Sequence, residues 1–232
     1  MINSYFDLYV RIKLPEDVQY KDLNSYLTAL INRALLNDDE LKANHEINKF
    51  KGYVFSSLHP IQKDKLYKKD QIYIFNINTL DFYTCNRLKD CLKQVDCIEF
   101  VDMRIHEFRV IDEIVTLTPC ITSLKDGKYW TLKDSISYLY QNIDSNIKHK
   151  LCHFSDIQKG DIESKDNFIE SIELRNTSNI VLNYKGGKLF AYNAIIKVKK
   201  DPTSQLLANL CIALGIGEKN SLGFGYCMSK KE

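Results

Sequence analysis

The order in which two hydrophobic periods follow one another constrains this chain more than any other feature. Residues 5–14 alternate, with Phe6, Leu8, Val10, Ile12 and Leu14 on one face and Tyr9, Arg11 and Lys13 on the other. A period of two marks a half-buried strand. Leu23, Leu27, Leu30, Ile31, Ala34 and Leu35 then recur at helical spacing, so the pattern predicts a helix laid over that sheet. Strand-like runs follow at 51–58 and 71–77, a second helical pattern at 80–92, and a long strand-like run at 98–110. This succession, β-α-β-β-α-β, is the ferredoxin-like unit.

The same order returns, less regularly, in the second half. Residues 113–122 are strand-like, and Pro119 predicts an edge or bend because it has no N–H for a ladder. Asp126-Gly127 predicts a turn. Residues 132–151 have a helical period carried by Ile136, Leu139, Tyr140, Ile143 and Ile147. Short strands at 168–174 and 180–184, a basic hairpin turn at Lys185-Gly186-Gly187-Lys188 and a strand at 189–198 come next. Asp201-Pro202 reads as the cap and first turn of a further helix, with Leu206, Leu207, Leu210, Cys211 and Leu214 on its apolar face. A short strand at 226–228 ends the pattern. The expected fold class is α+β, two tandem ferredoxin-like (RRM-like) domains over residues 1–112 and 113–232.

Composition narrows the function classes. A formal charge of +2 on 232 residues excludes a strongly basic protein, so any nucleic-acid surface must come from local clustering. There is no signal-peptide pattern and no apolar run long enough for a bilayer, so no membrane partner is expected. Seven cysteines, an odd number without a CxxC pair, fit reduced thiols in a cytoplasmic protein better than disulfides or structural zinc.

The chemistry concentrates near the end of the chain. Gly215, Gly217, Gly223 and Gly225 frame Lys219-Asn220-Ser221 within eleven residues. Glycine lets another backbone approach closely, and successive N–H groups in such a loop can form an anion site to which Lys219 adds a charge. A helix C-cap at Gly215 and a plain turn is the structural alternative. The run is neither a nucleoside-triphosphate P-loop nor a dinucleotide fingerprint, since both require a helix to follow the glycines.

The run GIGEKNSLGFGYC resembles the C-terminal glycine-rich loop of the CRISPR-associated repeat-RNA endoribonucleases, the Cas-six family. LTALINRALL followed by NHEINKFKGYVFSSL supports the resemblance, which spans the whole chain in length and order of elements. In that family an early helix precedes a catalytic histidine and then a lysine before an aromatic strand; His45 and Lys51 match those positions. Some members carry a tyrosine on the early helix, and Asn32 stands there here. The resemblance implies metal-independent cleavage of CRISPR repeat RNA, with no metal or other cofactor.

Cleavage of that kind uses the 2′-hydroxyl as nucleophile and needs a base, an acid and positive charge for the phosphorane. Histidine suits the proton work and lysine the charge. Taken alone, His45 and Lys51 read as a solvated loop histidine and a surface lysine; the resemblance reverses that preference. It assigns proton transfer to His45 and charge stabilisation to Lys51, and leaves Asn32 to orient His45 or the ribose. Backbone contacts to RNA are expected from the glycine loop, above all Lys219, Asn220 and Ser221, with Lys197, Lys199, Arg11 and Lys13 as lesser candidates. Tyr53 or Phe55 is a candidate to stack a base, weighed against core packing. His59, the main rival to His45 for the proton role, precedes Pro60 and reads as a turn residue; His106 reads as a sheet residue; His149 and His153, four apart, read as helix-end charge complementarity rather than a metal pair, since no partner Glu sits between them. Asp38-Asp39-Glu40 reads as a helix start rather than a two-metal site. The rival to a nuclease is a non-catalytic RNA-binding scaffold subunit of a CRISPR effector complex. The sequence leaves open a homodimer and association with other effector subunits.

Overall fold

The computed structural model describes residues 2–46, 50–163, 165–184 and 187–230, with the side chains of 44–46, 163, 183 and 184 outside that description. The first half runs through β1 (Ser4–Lys13), β2 (Val18–Gln19), α1 (Leu23–Leu35), α2 (Asp39–Glu46), β3 (Tyr53–Phe55), β4 (Leu66–Tyr67), β5 (Ile72–Thr79), α3 (Phe82–Leu92) and β6 (Ile98–Glu107). The second half holds β7 (Glu113–Thr116), α4 (Ile136–Phe154), α5 (Lys159–Glu163), β8 (Ile169–Leu174), β9 (Ile180–Tyr184), β10 (Gly187–Ala191), β11 (Ala194–Val198), α6 (Pro202–Leu214) and β12 (Cys227–Lys230).

Each half builds one antiparallel four-stranded sheet, in the orders β3-β5-β1-β6 and β12-β7-β11-β8. In both, the first and third strands of the β-α-β-β-α-β unit lie in the middle and the second and fourth at the edges. These are two ferredoxin-like domains. The alternation of β1 sets its register: Leu8, Val10, Ile12 and Leu14 are wholly buried. Leu23, Leu27, Ile31 and Ala34 of α1 and Cys85, Leu88 and Leu92 of α3 cover them. A fully buried aliphatic side chain contributes about 1.5–3 kcal/mol, so this seam fixes which face of β1 looks inward. The side chain of Asp81 caps α3 by accepting from Thr84 N at 2.6 Å.

In the second domain the expected cap also forms, with Asp201 Oδ1 accepting from Ser204 N at 3.0 Å. The first strand stops at Thr116 instead of running to 122. Leu117 N and Thr118 N both turn to Tyr226 O, at 2.8 and 3.1 Å, and Pro119 follows with no donor to continue the ladder. The hairpin β9–β10 forms as expected, though Lys185 and Gly186 of its turn lie outside the described residues; the run expected as one strand over 189–198 is instead two, β10 in a two-stranded sheet with β9 and β11 in the four-stranded sheet.

α6 holds the two halves together. Its residues from Leu207 to Leu214 are all buried, as for a helix that is apolar all round. One side packs on α4, β11 and β12; the other reaches β3 and β5, where Asn78 Nδ2 donates to Ile212 O at 2.9 Å. The helix therefore delivers the glycine loop to the edge of the first sheet. Among the described residues, no helix is long and apolar enough to cross a membrane.

Candidate functional site

The glycine loop leaves α6 at Gly215 and sits on β3 and α1. Close approach is what its glycines permit. At Gly223 (φ 81°) a Cβ would lie 2.5 Å from the Phe55 ring, and at Gly217 (φ 67°) it would run into the Ile121 carbonyl oxygen. Asn24 Nδ2 of α1 donates to Gly223 O at 3.4 Å. The loop is closed at its base, where Ile216 N donates to Gly225 O, and tied to the segment after β7, where Glu218 N donates to Ile121 O and Gly225 N to Pro119 O, each at 2.9 Å.

Two side chains brace it from within. Asn220 is buried, and its Nδ2 donates to Ile216 O at 3.1 Å and to Phe224 O at 2.9 Å. Lys150 reaches in from α4 and donates to Gly215 O (2.8 Å), Gly217 O (3.0 Å) and Asn220 Oδ1 (2.8 Å). Burial pulls the Lys150 ammonium down from 10.5 to about 8. The neighbouring thiol of Cys211 is pushed by burial up to about 12, so it stays protonated and offers no anionic partner.

Of the residues expected at RNA, Lys219 (φ 58°) and Ser221 are half-exposed on the loop. Asn220 and the four glycines form its packed frame. Lys51 is half-exposed just before β3, and burial lowers its ammonium below the ordinary lysine value. Asn32 is half-buried on α1. His45 falls within α2, and its side chain lies outside the described residues. α2 itself is well anchored. Asp38 Oδ1 accepts from Leu41 N (2.9 Å) and Glu40 N (3.1 Å), and Arg87 clamps the same carboxylate at 2.8 and 2.9 Å. The Leu41 amide first, and Arg87 after it, hold this carboxyl below the usual aspartate value.

The other basic candidates lie elsewhere. Lys197 pairs with Glu113, at the end of the second sheet opposite the Thr116–Cys227 pair where the loop enters β12. Lys199 follows on beyond β11. Arg11 pairs with Ile74, whereas β3 meets β5 at Ile77–Thr79; Arg11 bonds Glu99 at 3.3 Å and lies over Phe100 at 5.7 Å. Lys13 is 3.9 Å from Asp70. Tyr53 and Phe55 are both core residues, 5% and 1% exposed, because α1 and the glycine loop cover β3. His106 stacks on Tyr5 with ring centroids 5.0 Å apart, a sheet residue as expected.

The end of α4 supplies groups that sequence reasoning did not bring to this place. A Cβ on Gly52 would touch the Phe154 ring at 3.1 Å. The Phe50 ring, 39% exposed, lies 5.8 Å from the His153 ring and 5.9 Å from Lys150 Nζ. Lys150 did carry a signal: it stands three residues after Ile147, beside Leu151, inside the apolar stripe of α4. For Phe50 and His153 there is no local signal, because their contact joins residues about a hundred positions apart.

Two ferredoxin-like domains, joined by a helix that seats a glycine-rich loop against the first domain, define a duplicated ferredoxin-like protein. Solved structures share this architecture. One described as CRISPR associated protein Cas6 is 20% identical, with 99% of this chain and 100% of that chain covered and a TM-score of 0.71. A Cas6-related protein from Pyrococcus furiosus is 16% identical, with 99% of each chain covered and a TM-score of 0.65. A Cas6 product complex is 12% identical, covering 98% of this chain and 100% of that one, at a TM-score of 0.62. No curated protein matches the chain. Residues 104–228 match the family described as CRISPR associated protein Cas6, C-terminal. That span is more than half of the sequence, and the chain belongs to the Cas6 family of CRISPR-associated RNA endonucleases.

Proposed function

We propose that this Cas6-family protein cuts precursor CRISPR RNA within its repeats, without a metal ion. The 2′-oxygen attacks the adjacent phosphorus, the bond to the 5′-oxygen breaks, and the products carry a 2′,3′-cyclic phosphate and a 5′-hydroxyl. Lys51 stabilises the phosphorane. His45 carries the proton of the attacking hydroxyl, and Asn32 orients the ribose or His45. Lys219 and Ser221 hold the strand from the loop. The observation that carries this reading is the seating of the loop on β3, the strand that Lys51 immediately precedes. A relative solved as a Cas6 product complex shares the fold and supports the same assignment. In this reading the domains are residues 1–112 and 113–232, each giving one half of the site.

Cleavage of cognate repeat RNA in excess EDTA, with mass analysis of the ends, tests it. Full activity and a cyclic phosphate are expected. Loss of cleavage in EDTA, or cutting of an RNA with a 2′-deoxy sugar at the scissile position, refutes it. Asn32, which transfers no proton, favours a second reading, an RNA-binding scaffold in a CRISPR effector complex; unchanged cleavage by His45→Ala would support that reading.

A further inference from the structure

We propose that His153 is the proton donor to the 5′-oxygen, the second proton carrier that the reaction needs. The proposal rests on the endoribonuclease reading above and deepens it. Cleavage by 2′-hydroxyl attack moves two protons. One leaves the 2′-oxygen as its bond to phosphorus forms, and one must reach the 5′-oxygen as its bond to phosphorus breaks. His45 accounts for the first. Lys51 serves as a charge, and Asn32 at the early-helix position has no proton to give.

His153 lies where such a group is required. Its ring meets Phe50 at 5.8 Å, edge to face, and Phe50 is bonded to Lys51. Phe154, the next residue of α4, lies under Gly52 on the other side of Lys51. The last turn of α4 therefore packs against both neighbours of Lys51. Three residues before His153, less than one helical turn away, Lys150 of the same helix grips the glycine loop. One helix thus fixes the distance between the strand-holding loop and His153. The imidazole is exposed, so a substrate oxygen can reach it. It also stands in the final turn of α4. The titratable and charged groups on the elements around it include Lys51 beside Phe50, Lys150 at the same Phe50 ring, His149 four residues back on α4, and Asp156 just past the helix end.

The test compares wild type with His153→Gln in single-turnover cleavage of repeat RNA between about pH 5 and 9. A second RNA carries sulfur in place of the scissile 5′-oxygen, because a thiolate leaves without a proton. His153→Gln should cut the oxygen RNA about 10²-fold or more slowly and lose the alkaline fall of the pH–rate profile. On the sulfur RNA it should return to within a few-fold of wild type, whereas His45→Gln should stay slow on both. A wild-type rate and profile for His153→Gln overturns the proposal, and so does equal slowing on both RNAs, which marks a structural fault. Those results leave the nuclease reading intact. A wild-type protein that leaves repeat RNA whole removes both.

Discussion

Replacing Lys150 with methionine isolates the strut behind the glycine loop. The side chain loses its charge, its donors and one atom of its length. Three buried acceptors, Gly215 O, Gly217 O and Asn220 Oδ1, then lack the partner that now stands 2.8–3.0 Å away. An unsatisfied buried acceptor costs about 1–3 kcal/mol. Against this, methionine escapes the penalty of burying an ammonium. The fall of Lys150 from 10.5 to about 8 puts that penalty at about 3 kcal/mol. The balance is a loss of about 3 kcal/mol at neutral pH, which for a chain of this size lowers the melting temperature by about 6–12 °C.

The pH dependence gives the sharper signature. Between about pH 8 and 10.5 the unfolded chain still holds the Lys150 proton and the folded chain has released it. Stability therefore rises with pH across that window. Below it both states are protonated and the contribution is at its smallest. The stability of wild type minus that of Lys150→Met should climb by about 3 kcal/mol from the acid to the alkaline side of the window, while titrations of groups that do not feel the Lys150 charge cancel in the difference. Urea unfolding of both proteins at several pH values measures it. Equal melting temperatures at neutral pH together with parallel pH curves would refute the reasoning, since they would mean that Lys150 only fills space.

Further expectations concern the rest of the site. His45→Ala should slow cleavage by about 10²–10⁴-fold and Lys51→Met by about 10²–10³-fold, with repeat-RNA affinity by filter binding little changed. Lys219→Ala should weaken RNA binding and reduce the slope of log affinity against log salt by about one; an unchanged slope removes Lys219 from the phosphate contacts. Gly217→Ala should destabilise by at least about 1 kcal/mol from its left-handed backbone alone, with more from the Ile121 carbonyl, and calorimetry reads it directly. Asp38→Ala removes the cap of α2 and should lower stability by about 1 kcal/mol. Because the folded state holds the Asp38 carboxyl below its ordinary value, its contribution is full above that value and fades as the pH falls through the lowered one, so the two proteins should converge in acid.

The alternation of β1, the helical stripe of α1 and the Asp201 cap of α6 were legible before any coordinates, and the structure follows them, except that Asp7 on the outward face of β1 is buried as well. So was the meaning of the glycines as places of close approach. What approaches was not. Sequence reading sets the loop out as a set of amides awaiting a phosphate. In the fold, Gly223 makes room for Phe55, Asn220 spends its amide on the loop's own carbonyls, and a lysine near the end of α4 holds the frame. Tyr53 and Phe55, read as a platform or as core, are both core. The exposed aromatic is Phe50, three residues earlier.

Periodicity and capping are properties of a few neighbouring residues, because they follow from rise per residue and from donors left over at helix ends; the order of elements, and with it the doubled ferredoxin-like fold, is therefore written in the chain itself. Which side chains meet between those elements depends on how α6 is clasped by two sheets and where α4 ends. Those contacts join Phe50 to His153 and Lys150 to Gly217. They form only when burial of both cores outweighs the entropy of closing such long loops, so no local pattern can announce them.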